Sequence, residues 1–196
     1  MSEFWFYFDI GLRHVLDLSG YDHLLFLAML AVPYTFKDWK TLVLLVTLFT
    51  LGHTMMLVLG VYGILNLNFE AVEFLIPLTI MVTALYNIFK QATKATKNNG
   101  NSFIAITTLL FGLIHGMGFY NFIKIDLTPQ HEDKLMPLLG FAGGVEAAQI
   151  IIIIIVLLLS FGVERFTRLS RRDWVLVTSA FVAGVVLPLL ISHKFW

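Results

Sequence analysis

Six apolar runs, near 20–36, 40–62, 70–90, 102–122, 137–163 and 173–194, constrain this chain more than any other feature. Crossing about 30 Å of hydrocarbon takes roughly 20 helical residues at about 1.5 Å each. The pattern predicts an all-α fold: a polytopic membrane helix bundle, one integral domain over residues 1–196, with about six transmembrane helices. The segment 3–17 (EFWFYFDIGLRHVLD) is aromatic, amphipathic and too short to span. It is expected to form a short interfacial helix or to fold back toward the bundle. The joints Ser19-Gly20, Phe36–Lys40, Asn66–Asn68, Lys94–Asn101, Ile123–Pro137 and Glu164–Asp173 carry turn and charged residues that belong outside lipid.

Composition supports that class, at 58% hydrophobic and 13% charged residues with a mean hydropathy of +0.84. A net charge of +0 and the lack of a basic block interleaved with aromatics exclude nucleic acid as a partner, and the lipid bilayer is the expected one. With no cysteine, the strong ligands left are His, Asp, Glu, Asn and Gln. Met1–Asp9 lacks the basic, apolar and small-residue order of a cleaved signal peptide.

Lysine and arginine set the expected orientation. With the N-terminus outside, inner loops hold Lys37, Lys40, Lys90, Lys94, Lys97, Arg165, Arg168, Arg171 and Arg172, and outer segments hold Arg13, Lys124, Lys134 and Lys194. That asymmetry satisfies the positive-inside rule and puts both termini on the extracytoplasmic side.

Within these apolar runs sit His23, His53, Glu73, His115 and Glu146. An ionisable group in hydrocarbon is costly unless paired, hydrated or metal-bound, so each marks a candidate functional site. In the expected topology all five fall within roughly 15 Å of the outer boundary. Imidazole and carboxylate at one depth, flanked by His14 and Asp22, suit a divalent transition metal. Taken singly, each histidine is equally consistent with an ordinary interhelical hydrogen bond.

Neighbouring residues refine the picture. Gly112 and Gly116 flank His115 on a small-residue face that lets another helix approach closely, and Gly143 and Gly144 do the same beside Glu146. Gln149 lies on the face of Glu146 and can orient it or a ligand histidine; Thr54 adjoins His53. Glu73 and Asn87 share a stripe with Pro77 and Thr83, as a permeation path requires, although Asn87 near Lys90 equally reads as a helix-end cap. Asp22 is open to three roles: ligand, acceptor fixing a histidine tautomer, or helix N-cap. His131, Glu132 and Asp133 read as a solvated loop and His193 beside Trp196 as interfacial.

Phe49-Thr-Leu51-Gly-His53-Thr-Met55 and Phe111-Gly-Leu113-Ile-His115-Gly-Met117 share the pattern Phe-x-Leu-x-His-x-Met. Two such units in helices of one orientation fit a parallel duplicated hairpin.

The strings GYDHLLFLAML (20–30), FTLGHTMMLVLG (49–60), FGLIHGMGF (111–119) and GFAGGVEAAQ (140–149) together resemble the HupE/UreJ family of bacterial membrane proteins. The spacing of His14 from Asp22-His23, and Met117-Gly118-Phe119 after His115-Gly116, place the resemblance nearer the second branch of that family. The resemblance implies a nickel or cobalt permease or metal-delivery accessory protein of the bacterial inner membrane, with metalloenzyme maturation partners. By motif it implicates His14, Asp22, His23, His53, Glu73, His115 and Glu146. In a permease, release inward passes Thr50, Thr47, Thr83 and Asn87. A second class fits the same residues: an intramembrane zinc hydrolase acting on a lipid or lipid-linked substrate, with three histidines on Zn and Glu146 or Glu73 as general base. No nucleophile elbow and no His-Glu-x-x-His accompanies it.

Overall fold

In a computed structural model describing residues 3–62, 64, 69–93, 101–127 and 135–193, the chain is all helix, with no strand among those residues. Seven α-helices follow in order: α1 (Glu3–Leu16), α2 (Asp22–Ala31), α3 (Trp39–Val61), α4 (Phe69–Thr93), α5 (Asn101–Leu127), α6 (Leu135–Phe166) and α7 (Arg171–Ser192). Among the described residues, four stretches are long and apolar enough to cross a membrane: Phe36–Gly60, Glu70–Gln91, Leu135–Phe166 and Arg171–Ser192. The linkers holding Asn66–Asn68 and Lys94–Gly100, and the cluster His131, Glu132 and Asp133, lie outside the described residues, as does Trp196.

The expected span 20–36 is corrected. Its helix, α2, has only 10 residues, about 15 Å, half of what a crossing requires. It stops at Val32 before Pro33, whose ring and missing N–H end the helical ladder. A 3₁₀ turn then follows, held by a capping box in which Asp38 Oδ2 accepts from the Thr35 amide at 3.0 Å. Before α2 the chain is also broken, because Asp17 accepts from the Ser19 amide at 2.9 Å and closes a second 3₁₀ turn over Leu18–Gly20. Downstream, α5 continues to Leu127, past the expected limit of 122.

Glycines decide how the helices meet. A Cβ at Gly140 would strike the backbone of Phe4, one at Gly144 the backbone of Phe8 and Leu12, and one at Gly11 that of Phe141 and Val145. Rising numbers on α1 thus match rising numbers on α6, and the two helices run parallel in backbone contact. Ala31, at the far end of α2, packs with Ile153 and Leu157 further along α6. α1 and α2 therefore follow α6 in one direction as a single broken helix, with its break at Asp17–Tyr21.

The same logic pairs α3 with α5. Gly112 lies on the Phe49 backbone, Gly116 on that of His53, and Gly52 on those of Leu109 and Leu113. These helices run parallel, which brings the two Phe-x-Leu-x-His-x-Met units side by side at one level. Phe26, Leu27, Phe49, Ile80, Phe141 and Val182 join in one buried core that reaches α2, α3, α4, α6 and α7.

Lys40 near the start of α3, Lys90 near the end of α4, Arg165 on α6 and Arg171 on α7 lie at helix termini that the alternating chain direction groups together; that end is here the basic end. There Arg171 pairs with Glu164 and donates to the carbonyl of Val32 at 3.2 Å. Trp174 donates to Ser160 at 3.0 Å, and the α2 terminus is thereby tied to the α6–α7 corner.

Candidate metal centre

The break between α1 and α2 carries the site. His14 stands two residues before the end of α1, and His23 is the second residue of α2. Their rings meet edge to face at 4.7 Å between centroids. His53 comes from α3, 5.9 Å from the His14 ring and 6.0 Å from that of His23. One ring nitrogen from each of His14, His23 and His53 falls in a group whose members all lie within 4.8 Å of one another. His115 of α5 adds a fourth ring, 5.3 Å from His23.

Hydrogen bonds on the far sides of two rings assign their tautomers. Asp22 Oδ1 lies 3.2 Å from His23 Nδ1 and also accepts the His23 amide at 2.9 Å. A carboxylate only accepts, so Nδ1 holds the proton and Nε2 the lone pair. In His115, Nδ1–H donates to the Phe111 carbonyl at 2.9 Å with the same result. This carboxylate-or-carbonyl support behind an imidazole is the arrangement that metal-ligating histidines use. His23 and His115 are buried, and their Nε2 atoms meet no hydrogen-bond partner among the described residues. An orphaned, buried lone pair costs roughly 1–3 kcal/mol, and a metal ion would satisfy it. The donor set therefore fits a borderline transition metal.

Polar and aromatic walls divide the surroundings. On one side a cavity of about 380 Å³ is lined by His14, His23 and His115 together with Asp17, Asp22 and Glu73. On the other, Phe141 stacks on His53 at 6.0 Å and lies tilted against His14 at 6.0 Å, and Phe49 lies 5.2 Å from His115. Along α3, His53 stands three residues from the central Thr50 and eight from Val61, so the cluster is nearer the middle of the bundle than its rim.

Not every candidate joins the histidines. Glu146 is half-buried on α6, where it accepts from Thr47 at 2.6 Å, and Gln149 accepts from Thr50 at 3.1 Å. Thr47 is six residues from His53, about 9 Å along the axis toward the basic end. Thr54 is half-buried beside His53. Asn87 donates across to the Met29 carbonyl of α2 at 2.7 Å, so it braces two helices instead of capping its own. His193 donates to the Leu189 carbonyl at 2.9 Å and, with Glu73, lines a neighbouring pocket of about 280 Å³.

Asp17 is the residue that sequence reasoning passed over. It reads as a turn residue beside Ser19-Gly20, and its turn bond is present, yet the break also sets it in the wall of the histidine cavity. The signal lay in its position between His14 and Asp22, inside a motif already under suspicion.

Apolar helices of membrane-crossing length around a convergent histidine cluster define a helical membrane protein with a candidate metal site. The chain belongs to the HupE/UreJ family: a family model described as HupE / UreJ protein matches residues 1–193. No curated protein and no solved structure matches it.

Proposed function

We propose that this chain is a permease-type membrane protein for a divalent transition-metal ion, nickel or cobalt by its family resemblance, serving metalloenzyme maturation partners. It sits as a multi-pass protein in the bacterial cytoplasmic membrane, with its basic end inside and both termini outside. The observation that carries this reading is the gathering of His14, His23 and His53 ring nitrogens within 4.8 Å, at a helix break. Broken helices near the middle of the membrane are where secondary transporters bind their ions. His14, His23 and His53 hold the cargo ion, His115 supplies a fourth nitrogen, and Asp22 orients His23. Asp17 and Glu73 draw cations into the cavity, while Glu146, Gln149 and Thr54 support the helices around the site.

The test is uptake of Ni2+ or Co2+ into proteoliposomes, set beside the metal content of protein purified without added metal. Reversible binding with saturable uptake, both lost in His23→Ala and His53→Ala, is the expected result. Binding without uptake would remove transport from the reading, and no binding would end it.

One observation favours a second reading, an extracytoplasmic-facing zinc hydrolase. The cavity beside the histidines has room for a substrate group and a carboxylate, Glu73, in its wall. Three histidines can hold Zn with one position open to water, whose pKa such a site lowers to about 7. Glu73 would then take the proton. Tightly held stoichiometric zinc that resists mild chelation would favour this reading.

A further inference from the structure

Toward the basic end, the rings of His23 and His115 rest against a layer of phenylalanine rings. Phe26 and Phe49 are fully buried, 5.0 Å apart, and Phe26 packs edge-on to Phe111 at 5.6 Å. Phe26 also lies 5.4 Å from the His115 ring, and Phe49 lies 6.3 Å from that of His23. On the far side of this layer is a second cavity, of about 100 Å³, between α2, α4 and α5. Phe26 and Phe111 line it directly, and so do Thr83, Asn87, Thr108 and Lys90. Phe26 thus stands between the second cavity, which it lines, and the ring of His115, which lines the histidine cavity.

We propose that Phe26 and Phe111 form a gate between the histidine cavity and a release route that runs between α2, α4 and α5 toward Lys90. The proposal rests on the permease reading and specifies its inner half. A hydrated divalent cation cannot enter an apolar aromatic layer without losing its water, and hydrophobic constrictions gate ion paths for that reason. Beyond the layer, the hydroxyls of Thr83 and Thr108 and the amide of Asn87 offer oxygen ligands in an otherwise apolar crevice. The movable part is α2: ten residues between the Asp17–Tyr21 break and Pro33, held by Asn87 at Met29 and by Arg171 at Val32.

The absence of native cysteine allows a direct test. Thr108→Cys places a thiol on the crevice wall, to be labelled with a membrane-impermeant maleimide in spheroplasts and in inverted vesicles. Labelling is expected only from the Lys90 side in the otherwise native protein, and from both sides when Phe26→Ala or Phe111→Ala is added. In proteoliposomes the same alanine variants should raise Ni2+ flux by about tenfold. Phe26→Leu, with unchanged bound Ni2+, controls for folding. Equal labelling from both sides without the gate substitutions, or no change on adding them, overturns the gate. If the native protein binds Ni2+ but passes none, the permease reading fails, while the labelling still decides whether the aromatic layer separates the two cavities.

Discussion

The backbone of His53 lies against Gly116, with no room for even a methyl group between them. One residue before that glycine, His115 turns its own ring toward His23, so a single close approach of α3 and α5 sets the level of two of the four histidines. Gly116→Ala is expected to force the helices apart, at about 1–3 kcal/mol of overpacking. Thermal unfolding in detergent should show the loss, along with weaker metal binding. Gly162→Ala and Gly184→Ala meet nothing within 4 Å of the added carbon and should stay within about 0.5 kcal/mol of the parent.

Asp22 acts through His23. Asp22→Asn keeps the size of the side chain but allows its amide to face Nδ1, which frees the tautomer. Loss of such an outer partner typically costs about 10–100-fold in metal affinity, which titration calorimetry with Ni2+ or Zn2+ would read. His23→Ala should abolish binding altogether. Equal affinity in Asp22→Asn and the parent would show that this carboxylate does not support a ligand.

Thr47 and Glu146 form a pair of their own. Thr47→Val removes the hydroxyl that donates to the carboxylate and should destabilise the protein by about 1–3 kcal/mol, with bound metal per chain unchanged. Glu146→Gln should likewise retain the metal. Loss of metal in Glu146→Gln at normal stability would move this residue into the coordination set.

Asn87→Ala should release α2 from α4, because the Met29 carbonyl loses its donor. About 1 kcal/mol is the typical net value of such a bond. Faster amide exchange in residues 24–31 than in α3 would show the loosening, and unchanged exchange there would argue against Asn87 as a brace.

Much of the bundle was legible because lipid leaves few choices. An apolar run of about 20 residues forms a helix wherever it inserts, so α3, α4, α6 and α7 could be read from hydropathy. Gly112 and Gly116 announced a close helix contact by their spacing alone, and the paired Phe-x-Leu-x-His-x-Met strings suggested two parallel helices at one level. Length counting failed at 20–36. The apolar run there continues past Pro33, and hydropathy cannot distinguish one crossing helix from the second half of a broken one.

The identity of the polar groups in the apolar layer was determined by the sequence alone, and so was the absence of thiol ligands. Which of those groups meet was decided by the tertiary structure. His14 and His23 converge because the chain breaks between them; Asp17 joins their cavity for the same reason, and Glu146 turns to Thr47 because of the rotation and stagger of α6 against α3. Hydrophobicity fixes which segments are helices, since each satisfies its own backbone within the segment. Axial rotation and register depend on which small residues admit a neighbouring backbone, and that is a property of pairs of helices rather than of any one of them.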